Sequence, residues 1–247
     1  MLYLLLVAAT PIVLMALEDQ ESPCWTGTRR IERPGDDMNL EANASDPKPS
    51  RRPAMNLFEL WWTAVTHPAR AFEEVKRKPA PTWGFRVVLC FNLMISLTSL
   101  LALELLGRRP FLPSWLTFLP TERYYQFEIF FLPVLRMVSW LLSAATIHLG
   151  LRLMGRPSDM DRILNIGGVQ YLVVMPYTFL VDWTTIAPNA YGFGLIAVLH
   201  GAVDLVWSLT LGVIGLHVLL GLEPRLAVEL SLLSTVVSLP LLAIFAR

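Results

Sequence analysis

Residues 194 to 221 read GLIAVLHGAVDLVWSLTLGVIGLHVLLG, a run of 28 positions with no Lys, Arg or Glu and one acid, Asp204. At about 1.5 Å per residue, a helix of that length crosses a ~30 Å hydrocarbon layer with some tilt. The stretch is a membrane span. A carboxylate in mid-span costs about 3 kcal/mol on insertion scales, so Asp204 faces other helices or a wet cavity rather than lipid. Asp204 therefore requires neighbouring spans.

The rest of the chain supplies them. Of 247 residues, 54% are hydrophobic and 16% charged, and the mean hydropathy is +0.51, which places the chain among polytopic membrane proteins. The formal net charge is zero, so no nucleic-acid partner is indicated. Cys24 lies in a polar tail and Cys90 inside an apolar run; they form neither a disulfide framework nor a metal-ligand cluster, and no cofactor is implied. The predicted class is all-α: a five-helix transmembrane bundle preceded by amphipathic surface helices, with a sixth N-terminal span as an option. The spans are predicted over residues 84–106, 127–153, 163–182, 194–221 and 226–246.

Lys and Arg fix the expected orientation. One side collects Arg70, Lys76, Arg77, Lys78, Arg152, Arg156, Arg162 and Arg225; the other collects Arg108, Arg109, Arg123 and Arg247. The positive-inside rule then puts the segment before residue 84 in the cytoplasm and the C-terminus outside, in a membrane expected to be the bacterial cytoplasmic membrane. The connection from Arg108 to Gln126, rich in Pro, Trp, Tyr and Phe, is expected to lie along the outer surface.

Ahead of the spans, residues 2 to 17 form an apolar run, an anchor or a signal-like segment. It lacks the basic n-region and small-residue cleavage site of a cleaved signal, and Arg29, Arg30 and Arg33 follow it, which favours an uncleaved anchor with its N-terminus outside. Residues 18 to 54 carry eight acids, six bases and prolines at 23, 34, 47, 49 and 53, a composition expected to stay disordered. The triplet Asn43-Ala44-Ser45 matches the glycosylation pattern by chance if that segment is cytoplasmic. Between 55 and 83, Leu57, Trp61, Val65, Phe72 and Val75 recur at near-helical spacing, with charged residues opposite. Pro68 should divide this stretch into two short helices, which either lie on the membrane surface or cap the bundle.

Inside the spans, counting from each helix end places Arg136 and Asp204 at one level near the middle. An ion pair between them would offset much of the cost of each, its expected role being to fix which helix faces meet. His200 stands one turn outward from Asp204 on the same helix face and reads as a hydrogen-bonded structural histidine. His148 and His217 both lie near the cytoplasmic ends and lack the acid or thiolate a metal site would need. The 163–182 span, with Asn165, Gly167, Gly168, Gln170 and Pro176, is expected to be broken. Such irregular spans line substrate sites in some transporters, but close helix packing is the preferred reading. Glu104, Glu128 and Asp182, near the outer ends, are expected to be wetted and to need no special role.

Residues 56 to 247 resemble the Yip family (Ypt-interacting-protein domain) as found in bacteria. The resemblance is carried by His67-Pro68-Ala69-Arg70-Ala71-Phe72, by the five-span layout with a cytoplasmic lead-in, and by Gln170-Tyr171 followed by Met175-Pro176. It implies a five-helix membrane domain in a family whose eukaryotic members are linked to Rab-type GTPases and vesicle traffic; its bacterial members have no settled activity, and it supplies no catalytic residues. Residues 1 to 54 depart from it. The expected function is a non-enzymatic membrane scaffold or interaction protein, in contact with the bilayer and with a membrane-protein partner or a second copy of itself. The alternative is a small proton-coupled permease using Arg136, His200 and Asp204. An intramembrane enzyme would need a paired Asp, Ser/Lys or zinc-type spacing, which the spans lack.

Overall fold

The computed structural model describes residues 56–77, 81–110, 119–188, 190 and 192–245. The N-terminal run, the polar linker with its Asn43 triplet, and residues 111–118 of the outer connection lie outside the described residues, as does the side chain of Asp204.

Two short helices come first. Asn56 caps α1 (Leu57–Thr66) by accepting from the Glu59 N–H at 2.8 Å, while the Glu59 carboxylate accepts from the Asn56 N–H at 3.0 Å, a reciprocal box that satisfies two otherwise orphaned donors. His67 ends α1, and Pro68 opens α2 (Pro68–Arg77) at the one helical position where its missing N–H is harmless. The two helices pack onto the bundle as a cap: Leu60, Ala64, Ala71 and Phe72 are buried, the last three completely. Leu57, expected on the inward face, is instead 56% exposed, because the buried stripe of α1 follows Leu60 and Ala64.

Among the described residues, five helices are long and apolar enough to cross a membrane, over Trp83–Leu105, Thr121–Leu153, Met160–Ile186, Gly194–Leu220 and Pro224–Leu241. The first is composite: α3 (Pro81–Ile95) passes through a π-helical stretch, Ser96–Leu100, into α4 (Leu101–Leu105). A 3-10 turn, Thr121–Arg123, then leads into α5 (Tyr124–Leu153), followed by α6 (Met160–Ile186), α7 (Phe193–Leu220) and α8 (Pro224–Phe245). Pro224 starts α8, as its place in the sequence predicts.

The break expected in the third span is absent. α6 runs without interruption through Pro176. It begins at Met160 because Asp159 caps it, accepting from the Arg162 N–H at 3.2 Å. The irregular span is the first, where the π-helical stretch sits between two α-helical pieces. Such widened turns re-aim side chains and recur at functional sites.

The helices form a ring in the order α3, α6, α7, α8, α5 and back to α3, with α5 also touching α6. Small residues allow these contacts. A Cβ built on Gly168 would lie 2.6 Å from Gly84 Cα, and one on Gly215 would lie 2.9 Å from both Ile166 Cγ2 and Phe72 Cζ. Backbones come this close only where side chains are missing. The Asn165 side-chain oxygen Oδ1 accepts from the Gly84 N–H at 3.2 Å and fixes the α3–α6 crossing. At the cap end, Lys76 and Arg162 donate to the carbonyls of Val218 and Leu219 at 3.0 Å each. They place two cations on the negative end of the α7 dipole. Gly221, at φ +65°, ends that helix in the left-handed region.

The outward faces carry large apolar side chains, among them Leu97, Leu105, Phe130, Val134, Leu180 and Val236, each more than half exposed. Such a surface suits acyl chains rather than water.

Candidate functional site: a polar cavity inside the bundle

A cavity of about 610 Å³ lies inside the ring, and all five spanning helices line it. That volume falls within the range of small-molecule sites. α5 contributes Glu128, Arg136, Ser139 and Trp140; across from it, α7 contributes His200, Gly201 and Ser208. Gln170 and Asp182 come from α6, Ser231, Ser234 and Ser238 from α8, and the π-helical stretch turns Ser99 and Leu100 to the same space.

One end of the cavity is charged. His200 Nε2 lies 3.1 Å from Asp182 Oδ1, joining α7 to α6. The Tyr177 hydroxyl donates to the Leu199 carbonyl at 2.9 Å, and its ring meets the His200 ring edge-on. The expectation that Glu128 and Asp182 are wetted is corrected: they are 2% and 5% exposed and line the cavity. The helices continue outward past both residues and rotate them inward. Glu104 remains partly exposed and accepts from Gln126 Nε2 at 2.7 Å.

Arg136 lines the middle of the cavity, and its Nε is buried without a hydrogen-bond partner among the described residues. The same holds for Trp140 Nε1 and for the hydroxyls of Ser99, Thr178 and Ser231, all on lining residues. Buried polar atoms in native proteins are nearly always paired with protein or ordered water, so this concentration marks the cavity as a polar interior rather than a dry one.

The other sequence-selected residues divide. Gln170 stands at the cavity wall and donates to the Ser208 carbonyl, while Asn165 and Gly168 belong to the α3–α6 crossing and Gly167 packs against Trp140. His148 Nδ1 pairs with the Ser158 hydroxyl at 2.8 Å, and His217 Nδ1 with the Leu222 carbonyl at 2.6 Å. Each of the two histidines is thus held by a partner of its own. Sequence reasoning missed the inward rotation of Glu128 and Asp182. The available signal was that Asp182 and His200 lie at similar distances from the same turn.

These features define a class: an all-α integral membrane protein with five spanning helices around a polar interior. A model of the Yip1 domain matches residues 62–246. The chain belongs to the Yip1 domain family. The same comparisons with curated proteins and with solved structures gave no match. The family is not a known enzyme family, and its members interact with other proteins.

Proposed function

We propose that the chain is a non-enzymatic scaffold of the bacterial cytoplasmic membrane that holds a membrane-protein partner or a second copy of itself. The cap carries this reading. Phe72 and Ala71 seat α2 firmly on the bundle, while Leu57, Phe58 and Trp62 of α1 stay more than half exposed beside the exposed Arg70, Glu73 and Arg77. An apolar patch on a rigid mount, rimmed by charge, is the anatomy of an interaction surface or an interfacial anchor. The cap faces the cytoplasm and the C-terminus faces outward, in line with the Lys and Arg distribution.

Arg136 and Asp204, on helices that face one another across the cavity, are proposed as an ion pair that fixes α5 against α7. The permease alternative would need a path through the cap end, where Phe72, Leu151 and Leu219 are at most 2% exposed; such packing favours a binding cavity.

Three measurements test the reading. Mass spectrometry of the protein purified in mild detergent should find a stoichiometric partner or dimer that a Phe58→Glu/Trp62→Glu variant loses; retention by that variant contradicts the scaffold. Cysteines placed at Arg70 and Arg109 should label from opposite sides, and same-side labelling overturns the orientation. Arg136→Ala and Asp204→Asn should each lower stability, with the double variant recovering part of the loss. Additive losses contradict the pair, and proton flux in proteoliposomes that either variant abolishes would favour the permease.

A further inference from the structure

α7 changes character along its length. From Leu209 to Leu216 every residue is buried, whereas of the side chains described between Gly194 and Ser208 none is. Gly212 lies at the centre of the packed part, where an added Cβ would stand 3.0 Å from Gln170 Nε2 and 3.2 Å from Ser231 Oγ, so α6 and α8 both close on the helix there. Further out, a Cβ built on Gly201 or Gly194 meets nothing within 4 Å. The outer half of α7 is therefore a wall with the cavity behind it, backed by space rather than by packed side chains. Segments with few buried contacts are the ones that open at the lowest free-energy cost.

What fastens this wall to α6 is gathered at one point. The Tyr177 hydroxyl donates to the Leu199 carbonyl at 2.9 Å, and Asp182 Oδ1 lies 3.1 Å from His200 Nε2, so α6 grips two consecutive residues of α7. Gln170 donates to the Ser208 carbonyl, at the base of the wall. On the α8 side the cavity-lining hydroxyls turn back on their own helix: Ser234 and Thr235 donate to the Ser231 carbonyl and Ser238 to that of Ser234, each at 2.9 Å. The Arg136–Asp204 pair proposed above lies one turn inward of His200, toward the base, and leaves the residues beyond it to the Tyr177 and Asp182 contacts. We propose that Tyr177, Asp182 and His200 form a latch, and that the outer half of α7 is a gate whose release admits bulky molecules to a cavity that small solutes reach while it is closed. Loss of one such contact shifts a two-state equilibrium about fivefold. Movement of the inner half would instead strip burial from every residue between Leu209 and Leu216, so the helix gives way beyond its packed part. The proposal goes beyond the scaffold reading and does not depend on it.

Ser238 lines the cavity from α8, across from the latch, and provides the reporter. The full chain, with Cys24 and Cys90 replaced by serine and carrying Ser238→Cys, is exposed in lipid nanodiscs to N-ethylmaleimide and to a bulky fluorescein maleimide. The ratio of the two rates reports the width of the entrance and cancels changes in thiol reactivity. The latched chain should react with the small reagent and resist the large one. Tyr177→Phe/His200→Ala should raise the bulky-to-small ratio about fivefold or more, and Tyr177→Phe alone should raise it by less. Ala227→Cys, in the packed end, should stay protected in both backgrounds. An unchanged ratio in the variants overturns the gate, and so does a parallel rise at Ala227→Cys, which would mean general loosening. Tyr177→Phe deletes a single hydroxyl, so it keeps the test decisive if the double variant fails to fold. Partner capture through Phe58 and Trp62 does not involve the latch and should survive both variants, so failure of either reading shows separately.

Discussion

The capped end of the bundle closes on Phe72, Leu151 and Leu219, each at most 2% exposed, whereas further along the same helices the interior opens into about 610 Å³ lined by Glu128, Arg136, Asp182 and His200. Glycine makes the first possible: Gly84, Gly168 and Gly215 let α3, α6, α7 and α2 approach until no volume remains. Polar and charged side chains occupy the second, where helices cannot close without leaving those groups unpaired. One end is closely packed, and the other keeps a cavity into which polar and charged side chains face.

The contrast predicts graded responses. Phe72→Ala removes a fully buried ring between α2 and α7 and is expected to lower stability by about 3–5 kcal/mol, measured by unfolding in detergent; a loss below about 1 kcal/mol would mean that the cap is loosely held. Gly168→Leu drives a side chain onto Gly84 Cα, backbone that cannot step aside, for a loss of about 1–3 kcal/mol or more, visible as a lower melting temperature and a broadened size-exclusion peak. Lys76→Met and Arg162→Met remove cations from the end of α7. Each should lose about 0.3–1 kcal/mol, and less in high salt. At the other end, Gly201→Ala enters open space and should leave stability unchanged or raise it by up to about 1 kcal/mol, since alanine favours the helix. A large loss at Gly201 would place it in a packed region.

Much of the fold was legible because lipid imposes simple rules. Runs of apolar residues, Pro68 and Pro224 marked the helices and their starts, and the split at Pro68 appears where expected. Rotation was harder to read. Counting residues gives the depth of a side chain along its helix but not the direction it faces, so Glu128 and Asp182 read as wetted helix ends although the ring turns them inward. The same limit concealed the partnership of His200 with Asp182, which depends on how two helices sit side by side. Pro176 suggested a break because its ring removes a backbone donor, yet it lies on the exposed face of α6 and the helix continues past it. The π-helical stretch at Ser96–Leu100 carries neither proline nor glycine, the residues by which sequence patterns flag an irregular helix.

Two positions test the contrast most directly. In a chain with Cys24 and Cys90 replaced by serine, single cysteines are introduced at Gly201, on the cavity wall, and at Ala227, which is fully buried in the packed end. Their modification rates by a small thiol reagent are then compared in lipid nanodiscs. Rapid reaction of Gly201→Cys with protection of Ala227→Cys is the predicted result; equal rates, or protection of both, would contradict a polar cavity beside a sealed cap.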